Sequence, residues 1–258
     1  AGTFGTSSPV AVSRGEFGAR VGVPRILELL DKYGIKATFF VPGHTADTFP
    51  EVTKLICEKG HEIGHHGYCH ESPVNMKYED EVKVLEKGVN SLKKVIGEAP
   101  KGYRSPDWDI SQNTIDILLD HGFIYDSSLM RQDFNAYKCR RGDKVHTDRA
   151  CEFGEETNLI EIPASWDMDD FPPFEPYETQ QHLSPGLSAP SAVFEIWSGN
   201  FDYMYRYVKG GIYILTCHPQ VIGRGHRILM LDKLIRYIRK HPGVWFARVI
   251  DVAKTWID

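Results

Sequence analysis

Residues 37–67 read ATFFVPGHTADTFPEVTKLICEKGHEIGHHG, and they spell a strand, a helix and a second strand. ATFFV (37–41) is a short apolar run rich in β-formers, the pattern of a buried strand. FPEVTKLICEKG (49–60) places apolar residues at helical spacing and ends on a glycine stop. HEIGHHG (61–67) follows as the next strand. Two strands joined through a helix pair in parallel, since parallel neighbours need a long crossover.

The alternation continues on both sides. VPRILELLDKYG (23–34) precedes it as a helix with apolar positions 23, 26, 27 and 30. After it come a long charged amphipathic helix (76–97), a strand at GYRS (102–105), a helix (111–122) and a strand at FIYDS (123–127). Residues 129–158 are polar without a clear period and read as an insertion loop. LIEIPA (159–164) is a strand, and 166–190 a second long loop rich in proline and acid. A helix over 191–210, a strand at GIYILTCHP (211–219), a helix over 227–243 and a closing strand and helix complete the chain. Helices alternating with apolar strands imply a helix-covered parallel sheet. So many units, with reactive side chains after the strands, favour a (β/α) barrel filling one domain, 1–258. The repeat nevertheless opens on a loop and a helix, so the strand expected before residue 23 is either missing or unrecognisable.

Composition sets further bounds. The 258 residues are 41% hydrophobic and 25% charged, with net charge −5, which argues against nucleic acid, as does the lack of a basic run. No apolar stretch approaches the roughly 20 residues of a membrane helix. AGTFGTSSPVAVSRG (1–15) lacks the basic end and apolar middle of a signal peptide. The five cysteines are odd in number and scattered, and no Asn-x-Ser/Thr occurs, so reduced thiols in a cytoplasmic protein are expected.

His66 and His70 stand i, i+4 at the end of the 61–67 strand and in the turn after it. Barrel enzymes place their chemistry at such strand ends, and neutral imidazoles ligate zinc and related divalent ions. A histidine pair can equally be a hydrogen-bonded loop feature. His65 should face the opposite side of the strand and be structural, and Cys69 should diverge from both ligands. His218, ending 211–219, reads as a general acid or base, or as a strand-end histidine satisfied by a carbonyl. Arg104 could orient a carboxylate or substrate oxygen, or form a surface ion pair. Asp167, Asp169 and Asp170 could tune one of these groups, bind a metal, or simply be a solvated acidic loop. Trp108 and Trp166 follow two of the same strands and could wall a substrate groove or pack. No phosphate-binding loop, dinucleotide fingerprint or nucleophile elbow accompanies them. One rim carrying imidazoles, an arginine and acids suits metal-assisted hydrolysis.

Taken in order, ATFFVPGH, HEIGHHGYCHESP, GYRSPDW, IEIPASWDMDD and ILTCHP resemble the polysaccharide deacetylase (NodB-homology) family over nearly the whole chain. SRGEFGARVGVPRILELLDKYGIKATFFVPGHTADTFPE is similar to the cytoplasmic subgroup of peptidoglycan deacetylase-like, cyclic imide hydrolase and allantoinase-like proteins. The resemblance implies a distorted (β/α) barrel, a divalent metal with zinc first, and a homotetramer acting on a small-molecule or oligosaccharide substrate without nucleic acid or membrane. It makes His66 and His70 metal ligands, His218 the acid that protonates the leaving nitrogen, and Arg104 the residue that orients the base. Asp169 and Asp170 would support the arginine or His218, and Trp108 and Trp166 would line the substrate site. The implied reaction is hydrolysis of a non-peptide carbon–nitrogen bond, an N-deacetylation first and opening of a cyclic imide or ureide second.

Two departures stand out. Asp107 occupies a position that is usually aromatic and lends an oxyanion donor to the substrate. The family's first motif, a strand ending in two aspartates that supply the base and a third ligand, has no counterpart, because no aspartate precedes Asp31. The expectation is that this motif belongs to a natural beginning outside these residues. The alternative is a deviant member, inactive and serving as a binding or assembly module.

Overall fold

A computed structural model describes residues 8–178 and 183–257 of the chain. Its elements run α1 (Pro9–Phe17), a π-helical turn (Gly18–Gly22), α2 (Val23–Tyr33), β1 (Thr38–Val41), α3 (Gly43–Thr48), α4 (Pro50–Glu58), β2 (Glu62–His65) and α5 (Tyr78–Ile96). There follow β3 (Gly102–Tyr103), α6 (Thr114–Asp120), β4 (Tyr125–Asp126), β5 (Tyr137–Arg141), β6 (Glu155–Glu161), α7 (Phe171–Phe174), β7 (Tyr177–Glu178) and β8 (Leu183–Ser184). The chain ends with α8 (Pro190–Tyr207), α9 (Pro219–Ile222), α10 (Gly225–Ile238) and α11 (Val249–Lys254). The residues gather into two compact units, one of 36–163 with 247–258 and one of 1–35 with 164–246.

The first unit is built on a six-stranded sheet in the order β1-β2-β3-β4-β6-β5. All neighbours are parallel except β5 and β6; helices make the crossovers from β1 to β4, and β5 lies on the connection from β4 to β6. The strand ends are aligned, with His65 opposite Tyr103, Tyr103 opposite Asp126 and Asp126 opposite Glu161. His66, Arg104 and Ser127 therefore all lie one residue beyond that row, at the carboxyl rim. The core beneath joins Leu85 of α5 to Tyr103, Ile115, Ile117, Leu118, Phe123 and Leu159. Full burial of a leucine of this kind contributes about 1.5–3 kcal/mol. The buried Glu62 carboxylate accepts from the Tyr125 hydroxyl at 2.7 Å and from the Ile250 amide at 2.9 Å, which ties α11 to the sheet. Desolvation pushes its pKa up.

The second unit is mostly helical. The apolar stripe of α2 is buried at Val23, Ile26, Leu27, Leu29 and Leu30, and Gly34 ends the helix at φ 65°, a left-handed conformation that suits glycine. The buried Arg227 of α10 holds Glu175 at 2.7 Å and the Phe174 carbonyl at 3.0 Å, and Arg14 of α1 reaches the same Glu175 at 2.8 Å. These bonds fix the segment after Trp166 against α1 and α10.

Several expectations change. Residues 129–158 are not an irregular insertion, because β5 and the start of β6 form an antiparallel hairpin there with buried Tyr137 and Cys139 flanking exposed Lys138. No strand forms over 211–215 or 244–247 among the described residues, although both runs are apolar. A ladder needs a bonded neighbour, and next to the first run Thr216 makes only an isolated parallel bridge to Asp169. Among the described residues the sheet does not close into a barrel, and its first strand is β1 at Thr38, in keeping with a repeat that opens on a helix. Residues 1–7, and 179–182 of the expected 166–190 loop, lie outside the described residues. All five cysteines are free thiols, and no described helix is long and apolar enough to cross a membrane.

Candidate active site

The rim of the sheet unit carries His66, His70 and Arg104. β2 ends at His65, so alternation sends His65 and His66 to opposite faces. His65 is wholly buried, stacked on Tyr103 with centroids 5.5 Å apart, with Nε2 donating to the Leu85 carbonyl at 3.1 Å and Nδ1 accepting from the Gly67 amide at 3.2 Å. Burial pulls its pKa down to about 4, so it is neutral at pH 7. His66 faces the other way, half-buried, and its Nδ1 donates to the Arg104 carbonyl at 2.7 Å. That bond fixes the tautomer and leaves Nε2 with its lone pair.

His70 returns to the same point by adopting φ 68°, and its ring lies 4.8 Å from that of His66 at 81° between planes. The carboxylate of Glu71 shapes this turn by accepting from the amides of Tyr68 (3.1 Å) and Cys69 (2.7 Å). Arg104 is buried, its Nε donating to the Ser127 carbonyl at 2.9 Å and an Nη to the Ser127 hydroxyl at 2.6 Å. Its guanidinium lies 4.4 Å from the Phe40 ring centre and 5.9 Å from that of Trp108. Asp107 and Trp108 occupy a short 3₁₀ turn with φ 57° and 53°, and the Asp107 side chain is exposed. Of the four described non-glycine residues with positive φ, three are His70, Asp107 and Trp108. Strain of this kind gathers where geometry is functional.

The second cluster belongs to the other unit and centres on His218, which immediately precedes Pro219 at the start of α9. Its Nδ1 donates to Asp170 at 2.7 Å, and its own amide donates to both Asp170 oxygens at 3.0 Å. Asp170 is wholly buried, and desolvation, only partly offset by His218, pushes its pKa up to about 6. Asp169 accepts from the Phe171 amide at 2.6 Å and lies 3.6 Å from His218 Nδ1. The Phe171 ring packs edge-on against His218 at 5.6 Å. Trp166 is half exposed, and Asp167 turns to the neighbouring Ser165 hydroxyl and Asn200.

Two donor sets could therefore receive a divalent cation. Asp169, Asp170 and His218 offer ligand atoms all within 4.8 Å of one another. Asp170, however, already accepts from the backbone amide and the ring of His218. His66 and His70 instead present adjacent imidazoles, one with its second nitrogen held by a carbonyl, the usual setting of a metal-bound histidine. The pair fits as part of a ligand set that other donors complete.

The helpers Ser127, Phe40, Glu71 and Phe171 were not singled out from the sequence. Ser127 alone gave a signal, a polar residue closing the FIYDS strand next to the rim.

A polysaccharide deacetylase family model matches residues 15–125. The peptidoglycan deacetylase of Helicobacter pylori is 40% identical over 263 residues, covering 98% of this chain and 89% of that one. The chain belongs to the polysaccharide deacetylase family. Among solved structures, a polysaccharide deacetylase homologue from Mycobacterium smegmatis shares 36% identity at TM-score 0.83, covering 95% of this chain and 80% of that one. An allantoinase shares 26% identity at TM-score 0.78, covering 98% and 77%. These polysaccharide deacetylase relatives place the open parallel sheet described above among (β/α)-barrel folds.

Proposed function

We propose that this polysaccharide deacetylase homologue is a metal-dependent N-deacetylase of amino-sugar polymers of the peptidoglycan type. The observation that carries the reading is the His66–His70 pair at the strand ends, with His66 Nδ1 locked on the Arg104 carbonyl. His66 and His70 would hold a divalent ion, zinc by donor type, which when bound supplies Lewis acidity toward an amide carbonyl and water.

The chain's own groups do the rest. Water adds to the acetamide carbonyl, the carbon–nitrogen bond breaks, and the nitrogen departs as an amine while acetate forms. His218 carries the proton to that nitrogen from Nε2, since Nδ1 is committed to Asp170. The Asp170 carboxylate stabilises the imidazolium and aims the ring, and Phe171 limits its exposure to water. Arg104, clamped by Ser127, presents a fixed positive charge to the rim. Asp107, Trp108 and Trp166 would contact the substrate, and Asp169 would support the His218 turn. A cytoplasmic homotetramer remains part of this reading.

The similarity to an allantoinase supports a second substrate class, the cyclic ureides and imides. Acetate release from peptidoglycan and chitooligosaccharides should be measured beside ring opening of allantoin, hydantoin and succinimide. Acetate release with intact rings is the expected result, and the converse pattern would replace the deacetylase reading.

A further inference from the structure

Asp126 and Glu161 form a fully buried carboxyl pair that the chemistry above does not use. Glu161 Oε1 accepts from two successive amides, Ser128 at 2.9 Å and Leu129 at 3.0 Å, in the turn after β4. The Ser128 hydroxyl donates to Asp126 Oδ1 at 2.7 Å and accepts from the Ser105 amide at 2.8 Å. Ser127, between them, holds Arg104 through its carbonyl and its hydroxyl. The Arg104 carbonyl in turn holds His66. Hydrogen bonds and the intervening 127–129 backbone thus link Glu161 to the His66 imidazole inside one unit.

The pair is costly as mere filling. Asp126 Oδ2 meets no hydrogen-bond partner among the described residues, and burial pushes both carboxyls up from their ordinary pKa values. An apolar pair of the same volume would fill the space without that desolvation penalty. What the carboxylate adds is a double acceptor that fixes two consecutive amides.

We propose that Glu161, partnered by Asp126, is a positioning residue that sets the 127–129 turn and thereby aims Arg104 and the His66 imidazole. This rests on the reading of His66 as a metal ligand and Arg104 as an active-site arginine. Glu161 acts through these residues and touches no substrate.

The test compares Glu161→Leu, which fills the volume without an acceptor, with Glu161→Gln, which keeps Oε1, and with the milder Ser128→Ala. Melting temperature, Zn²⁺ affinity by chelator competition, and kcat and KM for acetate release are measured on the full chain. Glu161→Leu should weaken Zn²⁺ binding about 10- to 100-fold, as loss of an outer-shell partner does. Its kcat should fall while KM stays within about twofold. Glu161→Gln should recover most of both. Ser128→Ala removes the two hydroxyl bonds but none of the amide bonds to Glu161, and should lose about 3- to 10-fold in Zn²⁺ affinity. Wild-type affinity and kcat in Glu161→Leu would overturn the inference whatever its melting temperature, and so would a Gln variant as defective as Leu. Should Glu161→Leu not fold, Ser128→Ala decides, and an unchanged affinity there overturns the inference. A wild-type protein that neither binds Zn²⁺ nor releases acetate would overturn the proposed function itself. An active wild type with unaltered variants would overturn only the positioning role.

Discussion

The imidazole of His66 and the main-chain carbonyl of Arg104 meet at 2.7 Å, so two strand ends fix one ring. Arg104 itself is clamped at two points by Ser127 and lies over Phe40. Lysine cannot reproduce a planar fork in this setting. Arg104→Lys should lower kcat/KM by about 10- to 100-fold, the scale of lost hydrogen bonds to a charged group. Steady-state kinetics with circular dichroism as a folding control measure it. A lysine variant at full activity would remove Arg104 from the site.

His218→Ala should lower the rate by about 10²–10⁴-fold, the range for a lost general acid, with Zn²⁺ affinity retained. Near-normal turnover in that variant would refute the role.

The His218–Asp170 dyad also sets a pH dependence. Burial raises Asp170 to about 6, so its carboxyl is ionised above that pH and protonated below it. Activity should therefore fall on the acid side with an apparent midpoint near pH 6. Asp170→Asn should lower the whole profile and remove that limb. A wild-type profile flat from about pH 5 to pH 7 would contradict this.

Stability carries its own pH signature through His65. Its folded pKa is depressed to about 4 against 6.5 for the free group, so its neutral form is favoured on folding. The unfolded chain binds the proton first, so stability is complete above about pH 6.5 and is lost as pH falls toward 4. The loss is about 3 kcal/mol, each pKa unit being about 1.4 kcal/mol. Urea unfolding across that range, with nitrogen NMR of His65, checks it. A His65 ring that titrates near pH 6.5 in the native protein would contradict the burial argument.

Gly88 of α5 lies against this ring. A Cβ there would come 2.3 Å from His65 Nε2 and 2.9 Å from the Gly67 carbonyl. Gly88→Ala should destabilise the fold by about 1–3 kcal/mol through overpacking, despite alanine's higher helix propensity. A thermal melt unchanged or raised would show that the helix shifts freely.

How far the sequence carries differs from element to element. The run 37–67 was legible because a strand, a helix and a glycine stop each leave a local pattern, and β1, α4 and β2 form there. The opposite faces of His65 and His66 followed from strand alternation alone. The hairpin of β5 and β6 escaped because Tyr137 and Cys139 are the only apolar marks on a charged strand. The reverse holds for 211–215, where an apolar run reads as a strand but a strand also needs a bonded neighbour, which local pattern does not encode. The aspartate that serves His218 could not be chosen among Asp167, Asp169 and Asp170, because adjacent residues in a loop carry no periodicity. The contact settles it as Asp170. Glu161 left no local signal, since its role lies in hydrogen bonds across neighbouring strands, and Ser127 left only its place at the end of the FIYDS strand.

The central claim is that His66 and His70 hold the metal on which deacetylation depends. The direct measurement is acetate release from peptidoglycan by chelator-treated protein before and after Zn²⁺ is restored, in wild type and in the His66→Ala/His70→Ala variant. The account predicts that chelation abolishes release, and that Zn²⁺ returns it to the wild type alone. Release that survives chelation, or that Zn²⁺ restores equally in the double variant, would contradict it.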